Sequence, residues 1–77
     1  NPVREGATIS LEIKTPAMVS VNLYDILGRK VEKLYSGFLQ SGETIISWDN
    51  RGLSTGCYFV RISGEDFAAT KQITIIK

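Results

Sequence analysis

Three hydroxyl side chains, those of Ser41, Ser54 and Thr55, are the candidates for nucleophilic chemistry in this chain of 77 residues. A hydroxyl attacks efficiently only when an adjacent base takes its proton, and histidine is the usual base. The chain contains no histidine, so the base would have to be a lysine or a carboxylate. The lone Cys57 lacks a partner for an internal disulfide, and we expect an inert, half-buried thiol, with intermolecular pairing as the alternative. The sequence therefore predicts that the protein is not an enzyme.

Two pairs of oxygen-bearing side chains, Asp49 with Asn50 and Glu65 with Asp66, are candidate calcium ligands. Calcium is bound by about six to eight oxygens, which a spaced, oxygen-rich loop supplies. Neither pair lies in such a loop, and both lie in predicted turns, where these side chains bond to their own backbone. We therefore expect no metal and no cofactor.

The charges are balanced, with nine basic and eight acidic residues and a net charge of +1. This balance gives no electrostatic case for binding nucleic acid or an anionic membrane. The apolar fraction of 43% and the charged fraction of 22% are those of a globular protein. A chain of 77 residues has no room for two cores, so residues 1–77 are predicted to form one domain.

Apolar and polar residues alternate along six segments, and alternation with a period of two is typical of half-buried strands. The predicted strands cover residues 8–14, 19–24, 30–35, 43–48, 57–63 and 69–76. The third is less regular and is expected to carry a bulge, and residues 36–42 are expected to form a loop that carries Phe38 and Leu39. Short strands separated by regular turns predict an all-β, immunoglobulin-like antiparallel sandwich of about six to seven strands.

Residues 25–29 are predicted to form the turn between the second and third strands. Aspartate is favoured at the first position of a turn, and Gly28 supplies the positive φ that closes the hairpin. Trp48 ends an inward-facing series, so its indole is predicted to lie in the core. The alternative is an exposed indole that stacks on a sugar.

Tyr58 follows Gly56 at the start of the fifth strand. In immunoglobulin-like sandwiches a tyrosine in this position folds over a corner, and its hydroxyl bonds to the backbone a few residues upstream. The sequence predicts such a tyrosine corner, with an ordinary inward-facing tyrosine as the alternative.

Five blocks, in order and correctly spaced, are similar to the type A C-terminal sorting domain of the type IX secretion system of certain Gram-negative bacteria. They are Asn1-Pro2, residues 21–31 (VNLYDILGRKV), 42–49 (GETIISWD), 53–62 (LSTGCYFVRI) and 71–77 (KQITIIK). Cys57 is a mild departure from the family pattern. The immunoglobulin-like module of flagellar hook-capping proteins has similar blocks.

The resemblance implies a secretion signal at the end of a longer parent protein. Family members enter the periplasm through a signal peptide of the parent, and outer-membrane machinery then recognises the folded domain. A sortase commonly removes the domain and joins the cargo to lipopolysaccharide, so the final location is the cell surface or the medium. The expected partners are the secretion and sortase machinery, with a surface glycan as a further candidate. We expect a monomer that binds no nucleic acid and no small-molecule substrate.

The candidate recognition residues are those at an exposed turn or at the edge of a sheet. Gly28, Arg29 and Lys30 form a charged tip, and Lys71 and Lys77 flank a last strand that offers an edge for pairing. Each has a simpler interpretation. Gly28 only forms the turn, Arg29 and Lys30 only keep a loop hydrated, and the two lysines of the last strand only prevent aggregation.

Two other functions remain open at this point. One is a carbohydrate-binding or cell-attachment module of a secreted enzyme, and such modules usually show a row of exposed aromatic side chains. The other is a passive spacer of the immunoglobulin kind.

Overall fold

Six β-strands follow one another along the chain. In the computed structural model, which describes residues 6–49 and 52–76, they are β1 (Gly6–Ile13), β2 (Ala17–Tyr24), β3 (Lys30–Leu39), β4 (Gly42–Asp49), β5 (Gly56–Gly64) and β6 (Ala68–Ile75). The described residues contain no helix that could cross a membrane. Four residues that carry predictions from the sequence lie outside the described residues: Asn1, Pro2, Asn50 and Lys77. The prediction of an all-β chain is confirmed.

The strands form two antiparallel sheets in a sandwich. One sheet has two strands, β1 and β4, and the other has four, in the order β3-β2-β5-β6. The two hairpins β2–β3 and β5–β6 lie side by side because β2 also pairs with β5. The outer strands of the four-stranded sheet, β3 and β6, are its two edges.

The core lies between the sheets and consists of the inward-facing residues of the alternating pattern. Val21, Leu23 and Val60 are fully buried. Burial of each large aliphatic side chain contributes about 1.5–3 kcal/mol. The other buried hydrophobic residues are Ile9, Leu11, Ile13, Val19, Leu39, Ile46, Trp48, Tyr58 and Ile75.

β3 is longer and less regular than predicted. Its register against β2 shifts twice, between Val21 and Asn22 and between Leu23 and Tyr24, and such shifts are β-bulges or similar irregularities. The bulge expected here is therefore confirmed. The loop predicted over residues 36–42 is wrong for residues 36–39, because β3 continues to Leu39, which is buried, and only residues 40–41 connect β3 to β4.

Gly37 lies inside β3, where its lack of a side chain leaves room for a neighbouring ring. A Cβ at Gly37 would lie 3.0 Å from the hydroxyl oxygen of Tyr35. That hydroxyl donates a hydrogen bond of 3.1 Å to the carbonyl oxygen of Phe38. The glycine therefore makes room for the Tyr35 ring within a strand and does not mark a turn.

Candidate recognition site

Asp25 organises the turn between β2 and β3. One carboxylate oxygen, Oδ1, accepts hydrogen bonds from the backbone amides of Leu27 and Arg29, at 2.9 and 3.0 Å. The amide of Gly28 donates to the Asp25 carbonyl at 3.0 Å, and Gly28 has φ +84°. The prediction that Gly28 has a positive φ is confirmed.

The charge at this turn is partly neutralised. The guanidinium Nε of Arg29 lies 2.9 Å from Oδ2 of Asp25. The hydrogen bond from the Arg29 amide, the largest cause, lowers the pKa of Asp25. Burial, the next largest, opposes it, and the Arg29 side chain lowers the pKa further. The carboxylate therefore stays ionised and balances the Arg29 cation.

The tip of the turn also presents apolar surface. The exposed fractions of Ile26 and Leu27 are 67% and 72%. Lys30, the first residue of β3, is exposed and forms no ion pair with any described residue. Of the two predicted cations, Lys30 therefore has no charged partner among the described residues, and Arg29 is paired with Asp25. The exposed surface of the tip itself is hydrophobic.

β6 is the edge strand that the sequence analysis anticipated. It pairs only with β5, and the register runs without a shift through eight residue pairs, from Gly56–Ile75 to Ser63–Ala68. Residues 68–72 are exposed, and Ile75 is buried and anchors the end of the strand. Its outer backbone groups have no strand partner among the described residues.

Lys71 lies on the core-facing side of β6, since its partner across the ladder is the fully buried Val60. Lys71 is nevertheless exposed. An inward-pointing charge on an edge strand is one way in which proteins prevent edge-to-edge aggregation.

The predicted recognition residues do not form one cluster. One group lies at the start of β3, where Gly28 and Arg29 precede the strand and Lys30 begins it. Lys71 lies on β6, three strand spacings away. At about 4.8 Å per spacing, the two edges are about 14 Å apart. The structure therefore defines two separate candidate regions, and Lys77 lies outside the described residues.

Tyr58 forms the predicted tyrosine corner. Its ring is buried, and its hydroxyl donates a hydrogen bond of 2.8 Å to the carbonyl oxygen of Ser54, four residues upstream. Gly56 has no positive φ, and a Cβ there would make only an ordinary contact of 4.0 Å with the Tyr58 ring. The corner is thus confirmed, while a structural requirement for glycine at position 56 stays a prediction.

Trp48 is buried in the core, as predicted. Its indole Nε1 is inaccessible and has no hydrogen-bond partner in the described structure. An indole in this position cannot stack on a sugar. Cys57 is half-buried, as expected, and its sulfur accepts a hydrogen bond of 2.8 Å from Nε2 of Gln72.

Sequence reasoning missed two exposed cations, Lys33 and Arg61, and a groove. The groove has a volume of about 360 Å³, and Tyr24, Ile26, Phe59 and Arg61 are among the residues that line it. The alternation along the fifth strand could have found Arg61, because it separates Arg61 from its neighbour Val60, which is buried. Lys33 could not be placed from the sequence, because the two shifts in β3 break the alternation.

The geometry defines a small β-sandwich. The side chains of Asp25 and Tyr58 form hydrogen bonds with the backbone of their own turn and corner. The profile of the secretion system C-terminal sorting domain family matches residues 1–77, and the chain belongs to this family. No curated protein and no solved structure matches the chain.

Membership in this family defines the role of the domain in outline. It is a C-terminal sorting signal for type IX secretion, which interacts with the secretion machinery. Type IX secretion exports its cargo across the outer membrane to the surface or the extracellular space. Domains of this family are in general not catalytic.

Proposed function

We propose that residues 1–77 act as one non-catalytic sorting domain that the export machinery recognises through the edge of β6. The parent protein passes through the periplasm, crosses the outer membrane and is attached at the cell surface. The domain acts as a monomer and contributes a folded surface rather than chemistry. The unshifted register of β6 at the edge of its sheet is the observation that carries this proposal.

An edge strand with free backbone groups is a template for strand addition. In this mode of recognition, main-chain hydrogen bonds supply affinity and alternate side chains supply specificity. The exposed stretch of residues 68–72 leaves the backbone of β6 accessible. Lys71 prevents pairing with unrelated strands, so that a receptor with a complementary charge is preferred.

The residues of the turn have a secondary part in this proposal. Arg29 contributes to the turn through its ion pair with Asp25, and Gly28 contributes through its φ. Lys30 is the cation of this region that remains for a partner. Lys77, which follows β6 in the sequence, is proposed as a second charged position.

Carbohydrate binding, the alternative from the sequence, lacks a supporting observation. It requires exposed aromatic side chains arranged for stacking. Trp48 and Tyr58, the two aromatic residues that the sequence singled out, are both buried in the core. We therefore propose that recognition involves a protein.

A reporter fusion tests the proposed function. Residues 1–77 are joined to the C-terminus of an inert periplasmic protein in a bacterium with a type IX system, and the reporter is measured in the periplasm, on the surface and in the medium. We expect the reporter on the surface, and loss of surface reporter when the sortase is deleted. A reporter that stays in the periplasm would identify a passive spacer, and a reporter released only into the medium would contradict surface attachment.

A further inference from the structure

The outer face of the four-stranded sheet, the side that points away from the core, is positively charged. The register places Lys33 and Arg61 on either side of Asn22, and Lys30 opposite Tyr24. These outward positions alternate with the buried Val21 and Leu23. No outward-facing position on the described strands of this sheet holds an aspartate or a glutamate.

The opposite face of the sandwich is acidic. Glu12 of β1 lies directly across from Glu43 of β4, and both side chains are exposed. Neither β1 nor β4 contains a lysine or an arginine. The net charge of +1 therefore conceals a separation of charge between the two faces.

The groove lies on the positive face. Tyr24 and Phe59 are partners across the β2–β5 ladder, and their side chains line the groove together with Ile26 and Arg61. Asp25 also borders the groove, but its carboxylate is engaged by Arg29. The groove is thus an apolar depression with a cation, Arg61, at its side that forms no ion pair within residues 6–49 and 52–76.

We propose that this face docks an acidic protein surface, which places one apolar side chain in the groove between Tyr24 and Phe59. Its carboxylates pair with Lys30, Lys33 and Arg61. Complementary charge of this kind speeds encounter and selects the partner, and a buried apolar anchor supplies affinity. The inference rests on the proposed function, because it places the partner in the export machinery.

The dimensions of the face favour a protein partner. The molecule is a slab of 35 × 30 × 16 Å, so its broad face has room for the roughly 800 Å² that each partner buries in a standard interface. Basic clusters that bind anionic lipids contain about four to eight cations, whereas this face has Lys30, Lys33 and Arg61. The same face spans the distance between Lys30 and the β6 edge, so one receptor would contact both candidate regions.

A titration with a defined probe tests the inference without the secretion system. The labelled domain is titrated with a short peptide in which one leucine is flanked by glutamates, and amide shifts are followed by NMR. We expect shifts at Tyr24, Phe59 and Arg61 that weaken as salt is added. We also expect binding about tenfold weaker in Arg61→Glu. The matched control is Lys14→Glu, an exposed cation outside this face.

The same two variants are then compared in the reporter fusion, where Arg61→Glu is expected to reduce export and Lys14→Glu is not. Failure of the wild-type fusion would contradict the proposed function. The peptide titration would still show whether this face binds an acidic partner. Several results would overturn the docking inference: no shifts on this face, binding to anionic phosphatidylglycerol vesicles but not to the peptide, or salt-sensitive self-association through the acidic face.

Discussion

The two edges of the four-stranded sheet are built differently. β3 runs for ten residues, and its register against β2 shifts twice. β6 runs for eight residues, and its register against β5 does not shift at all. Shifts of this kind bend and twist an edge, which hinders a further strand from pairing with it.

The difference indicates which edge is available. β3 is protected by its own irregular backbone, whereas β6 relies mainly on the charge of Lys71 for protection. A charge discourages unrelated strands but accepts a receptor with the opposite charge. The contrast therefore favours β6 over β3 as the place where a strand is added.

Removing residues 74–77 should have the largest effect. The truncation deletes Ile75, which is buried and pairs with Gly56. The loss of a buried aliphatic side chain costs about 2–5 kcal/mol. We expect a lower Tm and no export of the reporter, and normal export would exclude the end of β6 as a recognition element.

A shorter truncation separates folding from recognition. Removing only residues 76–77 keeps Ile75 and deletes Ile76, which is 78% exposed. We expect the Tm to stay close to that of the full chain, because no core residue is lost. A drop in export without a drop in Tm would then assign recognition to the end of the chain.

The stability of the hairpin that carries β6 should be sensitive to substitution of Gly64. A Cβ at this position would clash with the Phe67 ring, and the Gly64 amide donates to the Phe67 carbonyl at 2.8 Å. Gly64→Ala should therefore destabilise the domain by about 1–3 kcal/mol through overpacking. Chemical denaturation measures this, and Phe67→Ala should restore part of the loss in the double variant. An equal loss with and without Phe67 would contradict the explanation.

The stability of the hairpin that carries β3 should be sensitive to substitution of Gly28, for a different reason. A Cβ at Gly28 meets nothing within 4 Å, so the cost arises from its φ of +84° alone. Gly28→Val should cost about 1–3 kcal/mol, because a β-branched residue is strained in this region. A thermal melt measures this, with Gly52→Val as the control in a turn with open space and no positive φ. An unchanged Tm in Gly28→Val would show that the position does not hold this conformation.

The smallest effect should be the pH dependence of the same turn. The lowered pKa of Asp25 means that the ionised carboxylate stabilises the folded turn. This contribution is complete above the ordinary pKa of aspartate, about 4, and is lost as the pH falls through the lowered value. Asp25→Asn should therefore have a lower Tm than the wild type at neutral pH, and the difference should shrink in acid. A difference that is constant with pH would contradict this role.

The faces of the strands could be predicted from the sequence because alternation is a local property. Val21, Leu23 and Val60 were placed inside by their spacing, and they are fully buried. The tyrosine corner was also accessible, since Tyr58 bonds to a carbonyl only four residues away.

The arrangement of the strands could not be predicted in the same way. The order β3-β2-β5-β6 depends on packing between residues that are far apart in the sequence. The separation of charge between the two faces becomes visible only after Lys33 and Arg61 are placed on one side of the sheet by the register. Gly64 shows the same limit, since the turn at Glu65 and Asp66 was predicted but the closeness of the Phe67 ring to Gly64 was not.

The proposal that a receptor pairs with the edge of β6 is tested most directly by proline at two adjacent positions. In an antiparallel edge strand, neighbouring amides point alternately to the partner strand and to the open side. Of Ala69→Pro and Thr70→Pro, one therefore breaks a hydrogen bond to β5 and lowers the Tm, and the other removes only a free donor. Thr70→Ala is the side-chain control. We predict that the proline variant with the higher Tm, which lacks only the free donor, fails to export its reporter. Export of that variant at the level of the wild type would contradict the account.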